Sequence, residues 1–408
     1  MTPVEVPRPD LALALDARAR EGPPVVLIGP PGAGKTTLLR RLAASLESEG
    51  WVCVYLDLMA ATSSPDRFVE AALDALPAGP FAARLPDALA IRRIAESGRA
   101  HGEAAVRALF DLWSSMENAG GRPVALLLDE ATDIRSLAYF KGLREVEQPF
   151  AAALAARRRG TVLATSFPTL ARRLWRFPEL VVPPFSSREL APVVGSQLGE
   201  PLARASFGWP RYVRVILERF RAGDDLETAW SREMAPGGRL ESACRHTFDV
   251  LLLRSRGYGI SKAVLDAVAH EEGLTLTELV PRIGRTPGAV RDYLQWLVAV
   301  DALRMIGKRY HYVDGMIRCW MRLYGRGALP NEATLRDAAR AVMESAQPTV
   351  PPDAGARDAP DAEPPADSVR ANDRNDRPDT PPAPVEEGPA AANATALARR
   401  HDTLMEID

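Results

Sequence analysis

Apolar residues along the first two hundred positions follow two alternating rhythms. Short runs at Val25–Ile28, Trp51–Leu58, Pro123–Glu130, Gly160–Ser166 and Glu179–Phe185 are rich in aliphatic and β-branched residues and read as strands. Between them the spacing changes. "LLRRLAASL" puts Leu38, Leu39, Leu42 and Leu46 on one helical face, and residues 66–118 read as helices broken at "PAGP" and "LPD". Strands separated by helices predict a parallel sheet covered on both faces. No apolar run reaches about 18 residues, so no segment is expected to span a bilayer.

From Ser187 to about Arg254 the strand rhythm stops, and helical patterns such as "ELAPVVGSQL" and "PRYVRVILERF" take over. A second compact unit is expected at about 255–325. Lys262–Glu272 reads as its first helix. Leu274–Gly284 reads as its second, with Thr275 or Thr277 as cap. Thr286 suits the cap of a third helix and Pro287 its first position. That helix would bury Val290, Tyr293, Leu294, Leu297 and Val298 and expose Arg291, Asp292 and Gln295. "ALRMIGKRYHYVD" then reads as strand, Gly-Lys-Arg turn and strand. The order is helix, helix-turn-helix, wing. Trp320 and Tyr324 beyond it read as core, and 328–346 can form one more helix.

Composition changes the picture at the end of the chain. Residues 347–408 are rich in Pro, Ala and Asp and hold 6 Lys+Arg against 13 Asp+Glu. Such a segment cannot bury enough apolar surface to order itself, so it is expected to be a disordered acidic tail, with a frayed terminus at "TALARRHDTLMEID". The preceding body is mildly basic, which permits nucleic acid without demanding it. Cys53, Cys244 and Cys319 are too scattered for a disulfide framework or a metal site. With no leader pattern in "MTPVEVPRPD", a cytoplasmic location is expected.

The chemistry lies in "VVLIGPPGAGKTTLL". Gly29-Pro30-Pro31-Gly32-Ala33-Gly34-Lys35-Thr36 matches G-x-x-x-x-G-K-[ST], with a strand before it and a helix after. The glycines let backbone N–H groups approach phosphate oxygens, and the helix N-terminus favours the same anion. Lys35 is expected on the β- and γ-phosphates and Thr36 on Mg²⁺, with Thr37 continuing the loop. A glycine-rich turn with a chance Lys-Thr is the structural alternative, and the context disfavours it. At the end of the third strand, Asp129 is expected to hold the Mg²⁺ shell and Glu130 to polarise a water for attack. Thr165 or Ser166, ending the fourth strand, could sit between γ-phosphate and water. A plain polar strand terminus is the alternative reading. One of Arg172, Arg173 or Arg176 could act across a subunit contact as an arginine finger, if ATP binding drives oligomerisation.

This order of features resembles the AAA+/STAND-type P-loop ATPases, especially the archaeal-ATPase-like family, over residues 8–325. "RPDLALAL" is similar to the family's opening segment, and "GWP" at Gly208–Pro210 to its turn in a helical lid. The resemblance implies an α/β P-loop NTPase with sheet order 5-1-4-3-2, a helical lid and a C-terminal winged helix. It also implies that Pro210 borders the base and that Arg211 or Arg214 senses the γ-phosphate. The expected divisions are an ATPase core at 1–186, a lid at 187–254, a winged helix at 255–325, a helix at 326–346 and the tail. No N-K-x-D guanine reader occurs, which favours ATP.

Two uses for the winged helix stand side by side. In one, it enters the major groove of double-stranded DNA, with Arg285, Arg291 and Gln295 near bases or phosphate and Lys308 and Arg309 gripping the backbone. In the other, it binds a protein partner, as the tail also could. Residues 257–325 carry nine Lys+Arg against seven Asp+Glu, a modest basic excess that leaves both open. The expectation is an ATP-hydrolysing switch whose output is DNA binding or regulation, or else a signalling or assembly ATPase.

Overall fold

A computed structural model of the chain describes residues 6–77, 79–81, 85–97, 101–255 and 257–345. Its centre is a sheet of five parallel strands: β1 (Val25–Ile28), β2 (Val52–Asp57), β4 (Arg122–Asp129), β5 (Thr161–Thr165) and β6 (Glu179–Val181). The two-residue β3 (Asn118–Ala119) turns back antiparallel onto the start of β4. The parallel strands lie in the order β2-β4-β5-β1-β6. Counted as five, that is the expected 5-1-4-3-2. Register is tight: Ile28 pairs with Thr165 and Val181, and Asp57 with Asp129.

Alternation along the strands splits the core. Leu27, Leu127 and Val162 face one side; Val26, Ile28, Leu126, Leu128 and Leu163 face the other. The second face is covered by Phe68, Phe110, Trp113 and Phe150, whose rings meet mostly edge to face. On the first face lies the Lys35–Ser48 helix with Leu38, Leu39, Leu42 and Leu46 inward. The same apolar cluster runs on without a break, through Tyr212, Ile216, Trp230, Phe248, Leu265 and Leu294 to Val342.

Arg157 locks the sheet from within. It is 1% exposed, just before β5. Its guanidinium donates to the carbonyls of Trp113, Met116 and Val124 and to Thr161 Oγ1, which ties a covering helix to two strands. Burial lowers its pKa to about 10, still far above neutrality.

The C-terminal elements follow the expected order. Tyr258–His270 is a helix, and Leu276–Ile283 is capped by Thr275 and Glu278 in a capping box. Pro287–Ala299 is capped by Thr286, with Val290, Leu294 and Leu297 buried. Strands β7 (Leu274–Thr275), β8 (Leu303–Ile306) and β9 (Arg309–Tyr312) form a small antiparallel sheet in the order β7-β9-β8. Gly307 and Lys308 both take positive φ in the turn between β8 and β9, the geometry a tight hairpin needs. Tyr212 in the Pro210–Arg221 helix donates to Asp314 at 2.7 Å, and Tyr324 to the Met234 carbonyl at 2.6 Å. These bonds tie the small unit to the central helices. Glu332–Glu344 forms the last helix.

Two local expectations change. Leu85-Pro86-Asp87 starts a helix, Leu85–Glu96, where a break was expected; proline is acceptable in a first turn. A 3₁₀ segment at Ala131–Tyr139, which the hydrophobic pattern does not announce, follows β4. The expected disordered tail at 347–408, with its terminal segment, lies outside the described residues. Among the described residues, no helix is long and apolar enough to cross a membrane. The three cysteines are free thiols.

Arg157→Ala should lower unfolding free energy by about 3–5 kcal/mol, because it strands buried carbonyls and opens a cavity. Denaturant titration checks this; a loss below about 1 kcal/mol contradicts the clamp.

Candidate nucleotide site

Parallel register brings the C-terminal ends of β1, β4 and β5 to one edge of the sheet. The loop Gly29–Gly34 leaves β1 there. Gly32 and Gly34 have φ of 83° and 94°, in the left-handed region open to glycine. At Gly29 a Cβ would sit 3.1 Å from Ala33 Cβ and 3.3 Å from Val182 Cβ. The turn then enters the helix at Lys35.

Lys35 is 4% exposed. Its Nζ donates to the carbonyls of Gly29 (2.8 Å) and Pro30 (3.1 Å) and to Ser166 Oγ (2.8 Å), and lies 3.9 Å from Glu130 Oε1. Burial pulls its pKa down, while Glu130 and Asp129 hold it up. Ser166 grips Glu130 twice, through its N–H to Oε2 at 2.9 Å and through Oγ to Oε1 at 2.5 Å. Glu130 itself is left-handed, with φ 44° and ψ 46°, an unfavourable backbone for a side-chain-bearing residue.

Thr36 Oγ1 donates to Asp129 Oδ2 at 2.6 Å, and Tyr55 donates to the same oxygen at 3.0 Å. Burial, chiefly, and Asp129 push the Tyr55 hydroxyl pKa up, so it stays a donor. A hydroxyl and a carboxylate this close form an all-oxygen pair of the kind that suits a small hard cation such as Mg²⁺.

The structure separates the polar pair at the end of β5. Ser166 turns to Lys35 and Glu130. Thr165 turns away: its hydroxyl pairs with Thr132 Oγ1 at 2.9 Å and accepts from Phe167 N–H at 3.1 Å. The sensor expectation therefore narrows to Ser166, and Thr165 is corrected to a buried structural hydroxyl. Thr37 is exposed on the first helical turn.

Pro210 and Arg211 lie against the loop. Arg211 N–H donates to the Gly32 carbonyl at 3.2 Å, and the Pro210 ring approaches Gly34. Arg214 points to solvent. Arg172 is paired with Glu179 at 2.8 Å, while Arg173 and Arg176 are exposed. Pro31 and Ala33 complete the loop, with Ala33 buried.

The residues that make this site lie largely in one stretch. Residues 9–173 match the AAA ATPase domain. The solved structures similar to it include a Walker-type ATPase of Pyrococcus abyssi, with 16% identity, a TM-score of 0.57 and coverage of 78% of this chain and 96% of that one. They also include the Orc2 protein of Aeropyrum pernix, described as ADPNP–ADP complexes, with 15% identity, a TM-score of 0.44 and coverage of 84% and 95%. At such identities the first likeness speaks for fold. No curated protein matches the chain. The matched stretch holds the loop, Asp129, Glu130 and Ser166.

Two side-chain contacts escape the sequence pattern, at Tyr55 inside the matched stretch and at Arg8 just before it. Tyr55 supports Asp129 and shows only as an aromatic in a strand run. Arg8, just before the domain, is 8% exposed, with its guanidinium 3.9 Å from the centre of the Phe185 ring and 3.6 Å from Glu189. None of its side-chain nitrogens has a hydrogen-bond partner within the described residues.

At Gly32 a Cβ would meet Arg211 Cβ at 2.7 Å, in addition to the strained φ. Gly32→Ala should cost about 1–3 kcal/mol and push Arg211 off the loop. Thermal unfolding and nucleotide affinity measured together check this; unchanged values for both contradict the fit.

Proposed function

We propose that the chain is an ATP-driven switch in which the site at Gly29–Thr37 sets the arrangement of a helical lid and a winged helix, and that the winged helix contacts double-stranded DNA. What carries the hydrolytic half is the bonded chain Lys35–Ser166–Glu130 beside Thr36–Asp129. Without phosphate, the ammonium and the glutamate satisfy each other through Ser166. Bound triphosphate offers Lys35 better acceptors than the Gly29 and Pro30 carbonyls, and Glu130 is then released from part of its tie. Glu130 accepts a proton from the attacking water. The water oxygen bonds to the γ-phosphorus as the β–γ bridge breaks, leaving ADP and phosphate. Thr36 and Asp129 would hold Mg²⁺, which supplies charge neutralisation at the phosphates. Pro210 borders the base, and Arg211 stands over the loop as the γ-phosphate sensor. We place this activity in the cytoplasm.

The DNA half is supported by the surface of the Pro287–Ala299 helix. Arg291 and Gln295 are exposed along one side, Arg285 is exposed just before the helix, and Lys308 is exposed at the turn between β8 and β9. A helix face of this kind suits the major groove, with the turn reaching the backbone. Arg309 does not join it. Its guanidinium donates to the Gly273 carbonyl at 2.6 Å, which ties it back to the loop before β7. That tie and the exposed Asp292 on the same side favour the second reading, a signalling or assembly ATPase whose winged helix takes a protein partner.

Lys35→Ala should abolish nucleotide binding. Glu130→Gln should keep binding and lose turnover by about 10²–10⁴-fold; isothermal titration with a phosphate-release assay separates the two, and an active Glu130→Gln reassigns the base. DNA binding should fall steeply as salt rises, and Lys308→Glu should weaken it across all sequences. Absence of DNA affinity at low salt, with and without ATP, favours the protein-binding reading.

A further inference from the structure

The segment Ser166–Thr169 is held from both ends. At one end Ser166 binds Lys35 and Glu130. At the other, Thr169 opens the Pro168–Leu174 helix, and Asp301 receives both of its donors: Thr169 N–H at 3.1 Å and Thr169 Oγ1 at 2.6 Å. Asp301 lies in the turn between the Pro287–Ala299 helix and β8, 132 residues away along the chain. Its own backbone is left-handed, at φ 55°. A second grip falls between the two. The Arg254 guanidinium stands 4.4 Å from the centre of the Phe167 ring and pairs with Asp133 at 2.7 Å, three residues past Glu130. Both gripping residues lie beyond the AAA ATPase domain at 9–173.

We propose that Asp301 is a positioning residue for ATP hydrolysis: by fixing Thr169 it sets where Ser166 stands, and so where Ser166 holds Glu130. The inference rests on the assignment of Glu130 and Ser166 to the hydrolytic site. The lever is short. Pro168 has a fixed φ, and Phe167 is buried. A displacement at Thr169 therefore reaches Ser166 with little slack. The left-handed backbone of Asp301 closes the Pro287–Ala299 helix, with Asp301 N–H on the Val298 carbonyl and Ala302 N–H on the Leu297 carbonyl, and that ending delivers both carboxylate oxygens to Thr169. The joint also works in reverse, since whatever moves the C-terminal unit pulls on Ser166.

The test uses the full chain without DNA, with steady-state ATP turnover as the readout and far-UV circular dichroism to confirm folding. Asp301→Ala should lower kcat by about tenfold and leave KM for ATP within about twofold, the scale expected when a reacting group is misplaced by a fraction of its contact distance. Asp301→Asn keeps an oxygen that can accept both Thr169 bonds and should restore most of kcat. Combined with Ser166→Ala, Asp301→Ala should add no further loss, because both act through the same hydroxyl. If Asp301→Ala does not fold, Thr169→Val removes one donor at constant shape and carries the same expectations. An unchanged kcat in Asp301→Ala, or losses that multiply with Ser166→Ala, overturns the proposal. Glu130→Gln distinguishes this failure from the other. If that variant still hydrolyses ATP, the site assignment has failed; if it is inactive while the losses multiply, only the role of Asp301 has.

Discussion

The ammonium of Lys35 is the constraint around which the site is built. A charge buried to this degree is costly unless it is paired and hydrogen-bonded. Here two loop carbonyls, a serine hydroxyl and a nearby carboxylate meet it. To supply them, β1, β4 and β5 must end at one level, Gly32 and Gly34 must take conformations that glycine adopts most readily, and Glu130 must accept a left-handed backbone. The same partners are those a phosphate would displace.

Much of this is legible in the chain. The five strands lie within a few residues of their apolar runs, and the sheet order is the one the family resemblance implies. Thr275, Thr286 and Pro287 cap their helices because capping chemistry is local. What was not legible is tertiary. Nothing local separates Thr165 from Ser166; the hydroxyl of Thr132 decides it. Arg309 reads as a wing-tip cation until the Gly273 carbonyl takes it. Tyr55 gains its role only because β2 lies beside β4. The 3₁₀ segment after Glu130 carries no strong periodicity and was missed for that reason.

The division of labour along the chain is also less sharp than the sequence suggests. Residues 9–173 carry the matched domain, yet Arg211, Arg254 and Asp301 reach back to the loops that define its site. Contacts of this kind make the helices after Ser187 and the C-terminal unit part of the environment of the strand ends.

The unbroken apolar cluster from Leu15 to Val342 has a thermodynamic consequence. Packing that is shared cannot be lost piecemeal without exposing the neighbour's surface. A ligand held by the folded state alone stabilises it by mass action, about 2.7 kcal/mol at a hundredfold excess over its dissociation constant. That increment is not confined to the loop that does the holding. It is added to every opening that also disrupts the loop, whereas an opening confined to the last helix around Val342 leaves occupancy at Gly32 untouched.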